Sequence, residues 1–556
     1  MSAAVLANHL YLLSAGPSRA RFERAAADPA REQWLVLSGI LRRNAGCEFA
    51  ASHALFRGIR SVADYRQRVP LTSYDVLHPQ MERIARGAQH VLTAEPVQCL
   101  EPTGGSSGST KLIPYTRSLL REFSRATQAW VYDLLIARAA LRRGRAYWAV
   151  TPPARQPSHT SGGVPIGLEH DSDYFPAFAR ALLDRVLGVP RAVAKAPDIA
   201  SCRYLTLRAL LALPDLAFIS VWNPSFLTLL AEALDEHWRD LIADLDDGSL
   251  RWPIDPALRV EVARSLGGRP RLATALRRRF GARPPQDLGA VWPRLALISC
   301  WRDGHAARAL DGLRQRFPAV EVQGKGLLAT EGVVSIPLFA AEFPVAAITS
   351  HFLEFLPEDV DEWGTRALTV EQVEAGRTYE VALTTGGGLY RYRLRDLVRV
   401  EGFYRSTPML AFVGRADCAS DLAGEKLTPA FVESVLARAC AVAGVHPRFA
   451  MLAPAWGEPP RYRLYVDASP EDALVIGCNV ERLLIESHHY ALCRALGQLD
   501  AVCAVAVPDA ARIYERARIE RGQRAGAIKP PALDTGFDWE RVFSASRLTA
   551  DALLAS

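Results

Sequence analysis

The chain has 556 residues, 49% of them hydrophobic, and a formal net charge of +6, enough material for about two to four folding units. No apolar run reaches the roughly 18 residues of a membrane span. The Ala3–Leu13 run is broken by Asn8 and His9 and has no Lys or Arg before it, so it makes a poor signal peptide. Nine cysteines lack C-x-x-C spacing, which argues against a zinc site or a disulfide framework and for a reducing cytoplasm. The runs Arg142-Arg143-x-Arg145 and Arg277-Arg278-Arg279 have no interleaved aromatics. They read as solvated helix faces, so neither nucleic acid nor membrane is an expected partner, and oligomeric state is left open.

Residues 1 to about 95 read as mostly helical, with breaks at Pro70 and Pro79. Gln98–Leu100 is a short strand leading into Thr103-Gly-Gly-Ser-Ser-Gly-Ser-Thr-Lys111. After this segment Leu119, Leu120, Phe123, Thr127, Trp130, Val131, Leu134 and Leu135 recur on one helical face. Thr116 is the expected N-cap, and the helix is expected to end near Arg142-Arg143-Gly144. Tyr147–Thr151 and Phe218–Trp222 are strands, stopped by Pro152-Pro153 and Asn223-Pro224, while residues 155–175, rich in Gly, Ser, His and Pro, line or cover a site. Leu295–Cys300, Ala306–Arg316 and Val320–Gln323 form a βαβ unit and hence part of a parallel sheet. Gly324-Lys325-Gly326 leaves its last strand where α/β sheets place ligands. Val381–Thr385 and Leu389–Val400 pair as a hairpin across Gly386-Gly387-Gly388, with Arg391, Arg393 and Arg395 as a solvated face opposite Tyr390, Tyr392 and Leu394. Beyond Gly414-Arg415 short strands (Arg463–Asp467, Cys503–Val507) alternate with helices, which sets a domain boundary near Asp417 and no internal repeat.

The segment Thr103–Lys111 carries the most chemistry. Three glycines and the hydroxyls of Ser106, Ser107, Ser109 and Thr110 leave a backbone able to close on an anion, and Lys111 adds a point charge suited to phosphate. A glycine-rich loop feeding a helix N-terminus is a ready phosphate site. The order is not that of a Walker A loop, because Gly108 is followed by Ser-Thr-Lys. Lysine is otherwise scarce: only Lys195, Lys325, Lys426 and Lys529 accompany Lys111, the remaining basic residues being arginine. Such lysines mark places where a compact ammonium is not replaceable by a planar fork. Lys195 falls in no functional segment and reads as a surface residue. Lys325 is open between a cation near a ligand and a structural turn residue.

The order T-G-G-S-S-G-S-T-K resembles the phosphate loop of adenylate-forming enzymes such as acyl-CoA ligases and luciferase, with Thr103, Gly105, Gly108 and Lys111 in register. Ala329-Thr330-Glu331-Gly332 resembles their T-E motif, and Leu389–Val400 resembles Y-R-Y-R-x-G-D-V-V-R-V with Asp396 at its aspartate. Gly414-Arg415 and Gly424-Glu425-Lys426-Leu427 match two junction motifs. Together with Leu112-Ile113-Pro114, Val221–Phe226 and Glu354-Phe355-Leu356-Pro357, these identify the chain as similar to the Gretchen Hagen family of acyl-acid amido synthetases, in a compact bacterial form. The likeness covers roughly residues 60–430 and is looser toward Gln523–Leu533, where Lys529 precedes Pro530.

The resemblance implies a large N-terminal α/β domain with mixed sheets (1–416) and a small mobile α+β C-terminal domain (417–556), with ATP in the cleft between them. It implies that a small carboxylic acid attacks the α-phosphate, pyrophosphate leaves, and an amine, usually an amino acid, intercepts the acyl-adenylate to give an amide and AMP. Ser106, Ser107, Gly108, Ser109, Thr110, Thr330, Glu331, Asp396 and Arg415 are then the nucleotide-binding residues. Asp396 accepts the ribose hydroxyls and Glu331 binds Mg²⁺. Lys111 and Lys529 are candidate catalytic cations, and Lys426 is a candidate to contact phosphate or the acyl oxygen. Phe123, Trp130, Trp222 and Phe226 are candidate walls of the acyl pocket. Two positions depart from the family pattern: Leu327 stands where an aromatic residue stacks on adenine, and Arg395 replaces the glycine before Asp396. His351, His488 and His489 lack spaced partner ligands and read as structural or surface residues. The competing readings are an acyl-CoA or acyl-carrier-protein ligase sharing the first half-reaction, and a non-catalytic nucleotide-binding or partner-recruiting protein.

Overall fold

The computed structural model describes residues 2–53, 58–102, 111–149, 158–167, 177–302, 307–357, 364, 366–416, 420, 422–423, 425, 427–457, 459–495, 498–521, 523, 528–536 and 538–544. These group into two compact units, one made of most residues up to Phe412 and the other of Val413 onward.

The first unit opens with the helices Ala3–Ala25, Pro29–Arg43, Glu48–Ser52, Val62–Arg68 and Tyr74–Ala85. Ser2, Asp28, Ser61 and Ser73 each accept a hydrogen bond from a first-turn N–H, the capping arrangement that offsets orphaned donors at a helix start. Pro79 is not the expected break: it lies inside the helix Tyr74–Ala85. That helix packs Leu77, Met81 and Ile84 into the core, and burial of this face offsets the backbone bond proline cannot donate.

Three larger sheets follow, beside a two-stranded one that pairs Leu328–Ala329 with Gly332–Val333. Cys99–Pro102 pairs antiparallel with Leu112–Tyr115 and lies beside the short strands Pro165–Ile166 and Ser158–His159. Arg145–Trp148, Leu216–Ser220, Leu297–Cys300 and Glu321–Gly324 form a four-stranded parallel sheet in that order. Its last pair is the βαβ unit expected from the sequence, with Leu297 opposite Glu321, Cys300 opposite Gly324 and the helix Ala307–Arg316 between the strands. Arg145, expected on a solvated helix face, instead begins a strand and pairs with Asp215 at 2.8 Å. The third sheet has six strands, with Tyr392–Tyr404 between Thr378–Thr384 and Thr407–Arg415, and Phe352–Leu356 at one edge. The helix Arg117–Ala137 joins its core through Leu119, Phe123 and Leu134, while a separate core surrounds the parallel sheet. The second unit carries the strands Ala450–Ala455, Arg461–Val466 and Cys503–Ala506 in one sheet, with the helices Pro429–Ala443 and Pro470–Leu484. Mixed α/β architecture is thus observed, as the sequence predicts.

The expected arginine face needs correction. The strand begins at Tyr392, and Arg391 is fully buried. Its guanidinium meets Glu354 through two bonds of 3.0 and 3.1 Å and also donates to the Val69 carbonyl at 2.8 Å. Arg66 binds the same Glu354 carboxylate at 2.8 Å. Removing one partner of such a group strands the other charges in low dielectric. Glu354→Ala is expected to lower unfolding free energy by about 3–5 kcal/mol in urea titration. Glu48→Ala, which removes the exposed pair to Arg83, is expected to leave the urea midpoint close to that of the wild type, because solvent screens such a pair.

Candidate active site

The register Pro102–Leu112 makes residues 103–110 the connection between two paired strands. Ser106, Ser107, Gly108, Ser109 and Thr110 lie outside the described residues. Lys111, half-buried, stands at the exit of this connection with its ammonium 5.7 Å from the centre of the Tyr74 ring. The Tyr74 hydroxyl accepts the Leu112 N–H at 3.0 Å. Cation–π attraction of this kind is worth about 0.5–1 kcal/mol at an exposed site, so Tyr74 biases where the Lys111 charge rests.

The strand Leu112–Tyr115 separates the glycine-rich segment from the helix Arg117–Ala137, which corrects the picture of a loop feeding a helix end directly. Thr116 caps the helix as expected, its hydroxyl accepting the Leu119 N–H at 3.2 Å. The Glu95 carboxylate takes the Ser118 N–H at 2.9 Å and the Ser118 hydroxyl at 2.7 Å. A protein carboxylate thus already answers the positive end of the helix.

Tyr115, at the end of that strand, donates its hydroxyl hydrogen to the Thr330 carbonyl at 2.7 Å. Thr330 and Glu331 form the two-residue turn between Leu328–Ala329 and Gly332–Val333, which pair Ala329 with Gly332. The turn is thus tied by one hydrogen bond to the strand leaving the glycine-rich segment. Glu331 is half-buried. Leu327, at the expected adenine-stacking position, is half-buried and donates its N–H to Ser335 Oγ at 2.9 Å.

Asp396 enters from a third direction. Thr72, two residues before Tyr74, pairs with the strand containing Asp396: its N–H meets the Arg391 carbonyl at 3.0 Å, and its carbonyl accepts the Arg393 N–H at 2.9 Å. Between the pairs Glu380–Leu397 and Ala382–Arg393 the ladder is irregular, so Leu394, Arg395 and Asp396 oppose Val381 alone. Such a bulge re-aims side chains, often beside active sites. Arg395 has a φ of 64°, in the left-handed region. Glycine adopts this conformation freely, and a residue with a Cβ pays about 1–2 kcal/mol, which explains physically why a glycine suits this position. The bulge leaves Asp396 on the buried face shared by Tyr392, Leu394 and Val398, with only 7% of its surface exposed.

The four candidate acyl-pocket residues separate. Phe123 stacks on Tyr115 within the first core, 5.9 Å between centroids, and Phe226 is buried in the core around the parallel sheet. Trp130 and Trp222 come together around Lys325, with ring centres 5.0 and 4.9 Å from its ammonium. Trp148, which sequence reasoning did not single out, lies 5.8 Å from the same nitrogen. Its one signal was membership of the predicted strand Tyr147–Thr151; the observed strand is Arg145–Trp148, which puts Trp148 at the carboxyl end. Burial pushes the neighbouring Cys300 thiol up to about 12 against the pull of Lys325, so it stays protonated at neutral pH and is a poor nucleophile.

In the second unit Arg415 ends the strand Thr407–Arg415, half-buried. Lys426 and the side chains of His488 and His489 lie outside the described residues. Glu425, beside Lys426, is fully buried and accepts the Leu422 and Ala423 N–H groups, each at 2.7 Å. Lys529 is exposed, and the segment after it is pinned to the strand Ala450–Ala455 by the Leu452 N–H to the Ala532 carbonyl at 2.8 Å. Among the described residues no three His, Cys, Asp or Glu gather as metal ligands, and no helix is long and apolar enough to cross a membrane.

Residues 18–322 match the GH3 family N-terminal domain and residues 345–415 the GH3 family central domain. The probable indole-3-acetic acid-amido synthetase GH3.4 of Oryza sativa subsp. japonica is 30% identical over 459 residues, covering 75% of this chain and 70% of the relative. The probable indole-3-acetic acid-amido synthetase GH3.12 of the same organism is 29% identical over 437 residues, covering 71% and 70%. The solved structure of the AtGH3.15 acyl acid amido synthetase in complex with 2,4-DB superposes with a TM-score of 0.83 over 96% of each chain at 20% identity, which shows a shared fold. The chain belongs to the GH3, or Gretchen Hagen, family. The bacterial form suggested by the sequence has no support in these relatives.

The left-handed residue before Asp396 generates a stability test. Arg395→Val places a β-branched side chain at a φ of 64° and is expected to be less stable than Arg395→Gly by about 1–2 kcal/mol. Chemical denaturation of the two variants measures the difference directly.

Proposed function

We infer that this chain is an ATP-dependent acyl-acid amido synthetase. The observation that carries the reading at this site is the Tyr115–Thr330 hydrogen bond of 2.7 Å, which joins the exit of the glycine-rich segment to the Thr-Glu turn. The paired Thr72 backbone supports it by running from Tyr74, beside Lys111, to the strand of Asp396.

A carboxylate is a poor electrophile, so the enzyme first turns one of its oxygens into part of a leaving group. The acid oxygen bonds to the α-phosphorus of ATP as the bond to pyrophosphate breaks. The amine then attacks the acyl carbon of the adenylate, AMP leaves with the former acid oxygen, and the amine gives up a proton. The backbone and hydroxyls of Ser106–Thr110 cradle phosphate, and Lys111 spreads the charge that grows on it. Asp396 accepts the ribose hydroxyls, while Thr330 and Arg415 add nucleotide contacts. Lys426 and Lys529 are the candidate cations of the C-terminal part, with domains taken as 1–416 and 417–556. Glu331 fits Mg²⁺: the cation favours hard oxygens and keeps most of its shell as water and phosphate, so one carboxylate suffices. When bound, Mg²⁺ neutralises phosphate charge. The substrates in this reading are a small carboxylic acid and an amino acid, and the cytoplasmic location is inferred from cysteines scattered without C-x-x-C spacing.

Incubation with ATP, Mg²⁺ and a panel of aryl and alkyl acids is expected to exchange labelled pyrophosphate into ATP. Lys111→Ala is expected to reduce exchange by at least about 100-fold with an unchanged melting temperature. Absence of exchange across the panel would contradict the reading. Mass spectrometry with amino acids and CoA offered together should find amide; thioester alone would assign the chain to the ligases.

A further inference from the structure

We propose that His351 is a positioning residue for Glu331. Its imidazole, fixed by Glu122, is the surface on which Gly332 seats the Thr330–Glu331 turn, and the shape of that ring sets where the Glu331 carboxylate meets the metal on ATP. The assignment rests on the amido-synthetase reading above and adds to it a residue that acts through another.

The turn is held at both of its ends. Before Glu331, the Thr330 carbonyl accepts the Tyr115 hydroxyl at 2.7 Å. After Glu331, Gly332 lies against His351: a Cβ added at Gly332 would fall 3.0 Å from both Cδ2 and Nε2 of the imidazole. The two holding residues belong to one aromatic run. Tyr115 stacks on Phe123, 5.9 Å between centroids, and Phe123 meets His351 edge to face at 5.7 Å. Tyr115, Phe123 and His351 are all buried. A closed ring of contacts therefore brackets the one residue between Thr330 and Gly332.

His351 is tied in a way that keeps it from yielding to the turn. Its Nδ1 donates to Glu122 Oε2 at 3.0 Å, and its carbonyl accepts the Gln33 amide at 2.7 Å. The Ser350 hydroxyl beside it donates to the Glu122 carbonyl at 2.7 Å. Nε2 has no hydrogen-bond partner among the described residues, and a buried polar atom left so is costly. A leucine or phenylalanine would fill the space without that cost, but would take a donor away from the buried Glu122 carboxylate. Imidazole supplies both needs: a donor at Nδ1, and on the opposite side of the ring a flat, rigid Nε2–Cδ2 edge.

Gly332 is the complement of that edge. Its backbone is not in the left-handed region, so a side chain is refused there for want of space and not for conformation. Leu383 Cδ2, the other near neighbour of an added Cβ at 3.2 Å, is the free end of a flexible side chain and can shift. The tied imidazole cannot, so a methyl group at Gly332 must move the turn. Contacts that fix the direction of a metal-binding carboxylate are worth about 10–100-fold in affinity.

Gly332→Ala, His351→Asn and the double variant test this. Asparagine keeps a donor where Nδ1 stood and removes the Nε2 end of the ring, which leaves room for the new methyl in the double variant. Titration calorimetry on the full chain measures binding of Mn²⁺·ATP, and of ATP in EDTA, beside pyrophosphate exchange, with melting temperature checking the fold. Each single variant is expected to weaken Mn²⁺·ATP about tenfold and metal-free ATP less than about twofold. The double variant should recover to within about threefold of the wild type, the non-additivity of residues in contact. Should Gly332→Ala fail to fold, His351→Asn against the double variant makes the same comparison. A single variant that binds Mn²⁺·ATP like the wild type, equal weakening of both nucleotide forms, or a double variant no better than the singles would overturn the assignment. Recovery of binding without exchange for any acid would uphold His351 and overturn the adenylation reading instead; a wild type that binds no ATP would overturn both.

Discussion

The carboxylate of Glu122 is the interaction on which the site's framework depends. It is fully buried on the helix Arg117–Ala137, where an uncompensated charge would be too costly to keep. Arg125 of the same helix stands 3.9 Å away, and three groups from elsewhere compensate it: Arg43 at 3.1 Å, His351 Nδ1 at 3.0 Å and the Gly386 N–H at 2.9 Å. Each comes from a different element. The helix following the glycine-rich segment is thereby joined to the N-terminal helices, to the edge strand that starts at Phe352 and to the triple-glycine turn. A Cβ at Gly386 would fall 2.6 Å from Glu122 Oε1, so the close approach that makes this bond requires glycine there. Thr116 reinforces the joint by donating to the Gly386 carbonyl at 3.0 Å.

From this joint the candidate nucleotide residues are set by short links. Tyr115 precedes the Thr116 cap and holds the Thr330–Glu331 turn. The triple-glycine turn leads into Tyr390 and Arg391, whose carbonyls bind Thr72. The buried Arg391–Glu354 pair fixes the start of the strand that carries Asp396. The bulge at Arg395 then displaces Asp396 from regular pairing. The strain at Arg395 persists because pairing on both sides over-determines the strand. The candidate site and the stability of the fold here share a framework, since Tyr115, Thr72 and Arg391, which hold the surroundings of Glu331 and Asp396, are buried and hydrogen-bonded.

Much of this was legible in the sequence because it lay in local patterns. The βαβ unit, the Thr116 cap and the alternating buried face of Tyr392 and Leu394 follow from periodicity and capping chemistry. Asp396 and Thr330–Glu331 were marked by motif. What escaped depended on contacts distant in sequence. Nothing near Arg391 announces that its partner is Glu354, so its place in an alternating run made it look solvated. Pro79 looked like a break because local propensity was weighed without the burial of Leu77 and Met81. Phe123, Trp130, Trp222 and Phe226 resembled one another as aromatic residues, yet the fold assigns them to two cores and a cation cage. That division follows from which sheet each packs against, a tertiary fact that hydropathy does not encode.

The central claim is that Lys111, Glu331 and Asp396 grip one nucleotide on the first unit. The most direct measurement is a crystal structure with a non-hydrolysable acyl-adenylate analogue bound. The account predicts the analogue's phosphate within contact of Lys111, its ribose hydroxyls on the Asp396 carboxylate, and the Thr330–Glu331 turn bordering the same molecule. An analogue bound clear of these three residues, or bound by only one of them, would contradict it.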